Sequence, residues 1–135
     1  VNQIMDINDR NDFILELVSK NLNIGTKMNV RMKMIKESLK TISEGKNKTL
    51  IYISPTSPSY RQLIKDSNYE KLINFYKDSI ISEVEKYPNI HFVDFSSSDN
   101  LNNDSLFYDP THLNLMGAKI FSKDFSYFLL QNFIN

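Results

Sequence analysis

Hydrophobic residues recur along this chain in two rhythms, and the switches between them predict the order of its elements. From Lys27 to Ser43 the apolar residues Met28, Met32, Ile35, Leu39 and Ile42 return every three or four positions, with Arg31, Lys33, Lys36 and Lys40 between them. That spacing predicts an amphipathic helix laid on a sheet and ended by Gly45. Met28, Met32 and Met34 read as adaptable core filler. Thr49-Leu50-Ile51-Tyr52-Ile53 is a continuous β-prone run, the pattern of a parallel strand covered on both faces. Ser54-Pro55-Thr56-Ser57-Pro58-Ser59 breaks the chain at that strand's C-terminal end. It reads as a loop at the functional edge of a sheet or as a turn whose Ser59 caps a helix.

A short helix is expected over Tyr60 to Lys65. Ser67-Asn68-Tyr69-Glu70 has the form of a capping box and starts a longer helix at Asn68, with Leu72, Phe75 or Tyr76, Ile80 and Val84 on its inner face. Tyr87-Pro88-Asn89 stops it. Ile90 to Phe95 is a second strand, and strand, helix and strand in that order imply a parallel pair with a right-handed crossover. His91 alternates away from the apolar side chains beside it and reads as a structural or edge histidine. The polar run from Ser96 to Ser105 is expected as loop. A closing helix from Leu115 to about Phe133 puts Ala118, Phe121, Phe125, Phe128 and Leu129 on one core-facing side. At the other end, Val1 to Ile7 fits a short strand or a helix start, and Arg10 to Lys20 reads as helical.

These elements describe one α/β domain over residues 1–135, a parallel sheet flanked by helices. Two or three strands make a thin sheet with open edges, which favours self-association by strand pairing. The chain's 16 basic and 16 acidic residues cancel, so no global field gathers nucleic acid. The basic stretch from Lys20 to Lys48 and the acidic one from Asp94 to Asp109 read as solvated faces. No apolar run approaches the roughly 20 residues of a membrane span. Cysteine is absent and only two histidines are present, which leaves no thiolate metal site and no disulfide. No cofactor is expected.

Chemistry is concentrated in Phe107-Tyr108-Asp109-Pro110-Thr111-His112-Leu113-Asn114, running on into Leu115-Met116-Gly117-Ala118. An aspartate three residues before a histidine can fold back so that its carboxylate accepts the imidazole Nδ1–H and leaves Nε2 free as a base. Pro110 fixes one dihedral between them, and Asn114 is a good cap for the helix that follows. Gly117 and Ala118 permit close approach to a neighbouring strand. A metal-assisted alternative would use His112, Asp109 and Asp104, but zinc sites draw on more histidine or cysteine than this, and no metal is assigned.

The string from Phe107 to Ser122 resembles the last conserved block of the SGNH, or GDSL-like, hydrolase superfamily. The resemblance implies a three-layer α/β/α, flavodoxin-like fold and a serine mechanism for hydrolysis or transfer of acyl esters. His112 is then the base and Asp109 its orienting partner. An acylated glycan or other bacterial cell-envelope polymer is the implied substrate. The superfamily also carries a Gly-x-Asn-Asp block whose Asn donates to the oxyanion. Asp6-Ile7-Asn8-Asp9 lacks the glycine, and Asn8 is the candidate for that role or, alternatively, a helix cap. The family's nucleophile, a Gly-Asp-Ser or close variant after the first strand, has no counterpart here. The chain is therefore expected to be an incomplete half of the fold, lacking the nucleophile strand and inactive alone. The alternative is a non-catalytic interaction domain that retains the fold.

Overall fold

The computed structural model describes Asp12 and residues 25–134. Those residues form two compact units, one containing residues 25–52 and 64–93 and the other residues 53–63 and 94–134. The expected elements at residues 1–7 and 10–20, and Asn8 with them, lie outside the described residues.

The first unit is built on two helices and a pair of strands. Helix α1 runs over Gly25–Ser43, β1 over Thr49–Ile53, α3 over Asn68–Val84 and β2 over Ile90–Asp94. The strands are neighbours and parallel, as the strand–helix–strand order requires. Their pairing begins where the Thr49 amide donates to the Asn89 carbonyl at 2.8 Å. Leu39, Val84 and Ile90 form the buried centre, with Ile35, Ile51, Ile80, Tyr87 and Phe92 packed on them. One residue from each of α1, α3 and β2 thus meets at one point, which is what the helical and strand periodicities select.

Two expectations about this unit change. Tyr52 is exposed and no residue of β1 is fully buried, so the unbroken apolar run does not mark a strand covered on both faces. Among the described residues the sheet has only two strands, and so narrow a sheet cannot enclose each strand as a wide parallel one does. On α1 the inward stripe is Met32, Ile35 and Leu39. Val30 and Met34 are both 60% exposed, and Met34 is not core filler.

The start of α3 follows the capping box with one substitution. The Glu70 amide donates to Ser67 Oγ at 3.1 Å, as the motif requires. The Glu70 carboxylate, however, accepts from the Asp66 amide at 2.7 Å, one residue upstream of the usual partner. The Ser67 amide is already committed to the Ile64 carbonyl at 3.0 Å. Asp66 holds a φ of 61° to make this turn, a left-handed conformation that Asp tolerates better than most residues.

The second unit begins at the strand ends, where the Phe95 amide donates to the Ile53 carbonyl at 3.1 Å. Helix α2, Pro58–Ile64, follows the loop after β1. Ser57, not Ser59, is its cap: Ser57 Oγ accepts from the Tyr60 amide at 3.3 Å, and Pro58 takes the first helical position, where its missing N–H costs nothing. After β2 come two 3-10 turns, Asp99–Leu101 and Asp104–Leu106, then an antiparallel hairpin of β3, Phe107–Asp109, and β4, His112–Leu113. Helix α4, Leu115–Asn132, closes the chain. Its aromatic stripe packs edge-on around Phe95, with ring centroids of Phe121, Phe125 and Phe128 at 5.5, 5.8 and 5.6 Å. Offset and edge-to-face geometry is the favoured one for aromatic clusters. No helix among the described residues is long and apolar enough to cross a membrane.

Candidate active site

Asp109-Pro110-Thr111-His112 is a turn before it is anything else. Aspartate at the first position and proline at the second are the residues a β-turn prefers. The Asp109 side chain completes it as an Asx turn, Oδ1 accepting from the Thr111 amide at 2.9 Å and the His112 amide at 3.0 Å. The strands it joins pair Asp109 with His112 and Phe107 with Leu113, with an irregularity at Tyr108 between them. The segment between the polar run and the closing helix is therefore a hairpin. Strands of three and two residues are too short to show alternation in a sequence.

The pairing brings the two side chains together. His112 Nδ1 lies 2.8 Å from Asp109 Oδ2 and 2.9 Å from Oδ1. A carboxylate can only accept, so Nδ1 carries the proton and donates it, and in the neutral ring Nε2 on the far side holds the lone pair. Asp109 is buried at 8% exposure, whereas the His112 side chain is 73% exposed. A fixed carboxylate beneath an accessible imidazole can orient a base and stabilise the imidazolium that forms when it takes a proton.

Four sets of contacts hold this turn in place. Pro110 is fully buried and its carbonyl accepts from the Ser57 amide at 2.9 Å. Asn114 caps α4, its Oδ1 accepting from the Met116 and Gly117 amides at 3.0 Å each, while its Nδ2 donates to the Ser105 carbonyl at 2.6 Å. Gly117 is the close approach expected of it, against a 3-10 turn and β4. A Cβ there would overlap the Leu106 carbonyl oxygen and stand 2.9 Å from Leu113 Cδ2. Arg61 binds the loops after both strands, donating from Nη1 to the Thr56 and Ser96 carbonyls and from Nη2 to Asn102 Oδ1 at 3.0 Å. Partial burial lowers its pKa from the ordinary arginine value, and the nearby Asp104 charge partly offsets that.

The other sequence candidates fall elsewhere. Asp104 Oδ1 accepts from the amide and hydroxyl of Ser59 at 3.1 and 3.0 Å, at the start of α2 where a negative charge is favoured. No three His, Asp or Glu side chains gather to hold a metal ion among the described residues, so Asp109, His112 and Asp104 do not form a ligand set. His91 is exposed on β2. The ring hydrogen bonds described for His112 run from Nδ1 to Asp109 and Thr111, and no described serine hydroxyl is among its partners. Ser57, fully buried, is occupied with its cap.

Sequence reasoning missed Thr111, Ser57 and Arg61. A hydroxyl two residues after a turn aspartate was a local signal for Thr111. The contacts of Arg61 span 35 and 41 residues and carry no local signal. No family model, curated protein or solved structure matches the chain.

Proposed function

We propose that the hairpin from Phe107 to Leu113 carries the general-base dyad of an SGNH-type ester hydrolase or O-acyltransferase acting on an acylated glycan or envelope polymer. His112 is the base, Asp109 orients it, and the nucleophilic serine comes from outside these 135 residues. The observation that supports the reading is the short contact of a buried carboxylate with Nδ1 of an exposed imidazole. In the same reading β1 and β2 are two strands of a wider three-layer α/β/α sheet, and their edges are where further strands, or a second chain, would pair.

Mechanistically, Nε2 takes the proton from the serine hydroxyl as it attacks the ester carbonyl, then returns it to the departing alcohol. The acyl-enzyme is released by water in hydrolysis or by an acceptor hydroxyl in transfer. General-base assistance of this kind is worth about 10²–10⁴-fold, and the nucleophile and oxyanion donors supply the remainder. A non-catalytic interaction domain is the second reading, favoured by the lack of any described serine hydroxyl bonded to His112. Fluorophosphonate labelling separates the two. The 135-residue chain should remain unlabelled. A longer natural chain that includes a Gly-x-Ser strand should label, and should lose turnover on acetyl esters with His112→Ala. An extended chain that stays inert with its dyad formed would establish the interaction domain instead.

A further inference from the structure

The Thr111 hydroxyl sits between the two members of the dyad, with one proton to give and two acceptors in reach. Its Oγ1 lies 3.2 Å from Asp109 Oδ1 and 3.3 Å from His112 Nδ1. The two choices have opposite consequences for the ring. Donation to the carboxylate is compatible with a protonated Nδ1. Donation to Nδ1 would require that nitrogen to hold a lone pair, moving the ring proton to Nε2 and turning the outward nitrogen from acceptor to donor.

The carboxylate is the better acceptor, since hydrogen bonds to an ionised group are about twice as strong as neutral ones. The effect on Asp109 is also directional. Oδ1 already accepts the Thr111 and His112 amides and lies 2.9 Å from Nδ1, and the hydroxyl adds a further donor on that side of the carboxylate. Oδ2 faces Nδ1 at 2.8 Å. Donors held on Oδ1 stop the carboxylate from turning and so keep both of its oxygens against Nδ1. His112 needs such a constraint because its side chain is 73% exposed.

We propose that Thr111 is a positioning residue: its hydroxyl, bonded to Asp109 Oδ1, fixes the carboxylate so that His112 is held in the Nδ1–H tautomer with Nε2 outward. The proposal rests on His112 being the base, and its test does not depend on catalytic turnover. The imidazole nitrogens of His112 are observed by ¹⁵N NMR in the 135-residue chain, in the pH range where the ring is neutral. Wild type and Thr111→Ser should both show a protonated Nδ1 and an unprotonated Nε2. Thr111→Val, close in shape but without the donor, should lose that separation, its two nitrogen signals converging as the tautomers mix and the Nδ1 proton exchanges with water. Should the added methyl disturb folding, Thr111→Ala must give the same loss. Thr111→Val or Thr111→Ala with wild-type nitrogen signals would overturn the proposal while leaving the dyad intact, provided Asp109→Asn still alters them. A wild-type ring without a protonated Nδ1, or one indifferent to Asp109→Asn, would overturn the dyad and the proposal together.

Discussion

The Ser57 amide donates to the Pro110 carbonyl at 2.9 Å, which fastens the loop after β1 to the residue between Asp109 and His112. Both residues are fully buried, so the bond is shielded from water. The same serine caps α2 through its hydroxyl. Ser57→Ala should keep the amide bond and lose the cap, lowering stability by about 0.5–2 kcal/mol. Urea denaturation would measure that loss, and an unchanged midpoint would show that the cap contributes nothing.

Arg61 is expected to matter more than its partial exposure suggests, because it ties Thr56, Ser96 and Asn102 together. Lysine cannot reproduce the planar fork that reaches acceptors on both sides. Arg61→Lys should therefore destabilise by about 0.5–1.5 kcal/mol, the range for losing an intramolecular hydrogen bond. Amide hydrogen exchange should rise at Thr56, whose N–H donates to the Ser96 carbonyl at 3.1 Å. Exchange and denaturation curves matching wild type would mean that the clasp is incidental.

Much of this arrangement was legible because its signals are local. The capping box at Ser67, the Asn114 cap and the Asp-x-x-His spacing each involve residues within four positions; the last two form as the spacing implies, and the first does so with its carboxylate bond moved one residue upstream. What escaped depends on distance along the chain or on cover. Nothing near Arg61 announces Ser96 or Asn102. Nothing within Thr49 to Ile53 reveals how many strands stand beside it, so the exposure of Tyr52 was invisible to periodicity. The resemblance that gave His112 its expected role likewise came from one short string.

At Gly117 the prediction concerns space. A Cβ would strike the Leu106 carbonyl oxygen, which is backbone and already accepts the Asn114 amide at 3.0 Å. Gly117→Ala must push the α4 start away from that turn, at about 1–3 kcal/mol for overpacking. This outweighs the gain of about 1 kcal/mol that alanine brings to a helix. Thermal denaturation should show a lower midpoint, and a raised one would mean that the turn yields easily.

The Glu83 carboxylate accepts from Lys86 Nζ at 2.7 Å and from the Tyr87 hydroxyl at 3.3 Å. The Lys86 hydrogen bond is the main reason its pKa lies below the ordinary value. A carboxyl whose folded pKa is lowered contributes stability that is present above its unfolded pKa and lost as pH falls through the folded one. Lys86 is shifted upward by the same bond, so its contribution is present below its unfolded pKa and disappears as pH rises through the folded value. Stability should thus fall on both the acid and the strongly alkaline sides. Glu83→Gln should flatten both limbs of a plot of urea midpoint against pH, and limbs as steep as wild type would assign the pH dependence to other groups.

Replacing Asp109 by asparagine separates the turn from the dyad. An asparagine Oδ1 can still accept the Thr111 and His112 amides that close the turn, and the hairpin should survive with only a small loss of stability. The second oxygen becomes an amide NH₂, which donates. Facing Nδ1 at the position Oδ2 now holds, 2.8 Å away, it opposes an Nδ1–H that only Oδ1, 2.9 Å away, could still accept, and so favours the ring proton on Nε2. Asp109→Asn should therefore invert the His112 tautomer, and in an active longer chain it should lower kcat as a wrong tautomer does. Asp109→Ala removes all the acceptors and leaves the turn amides unsatisfied, at about 1–3 kcal/mol. A folded Asp109→Asn variant whose His112 still carries its proton on Nδ1 would show that the aspartate serves the turn alone.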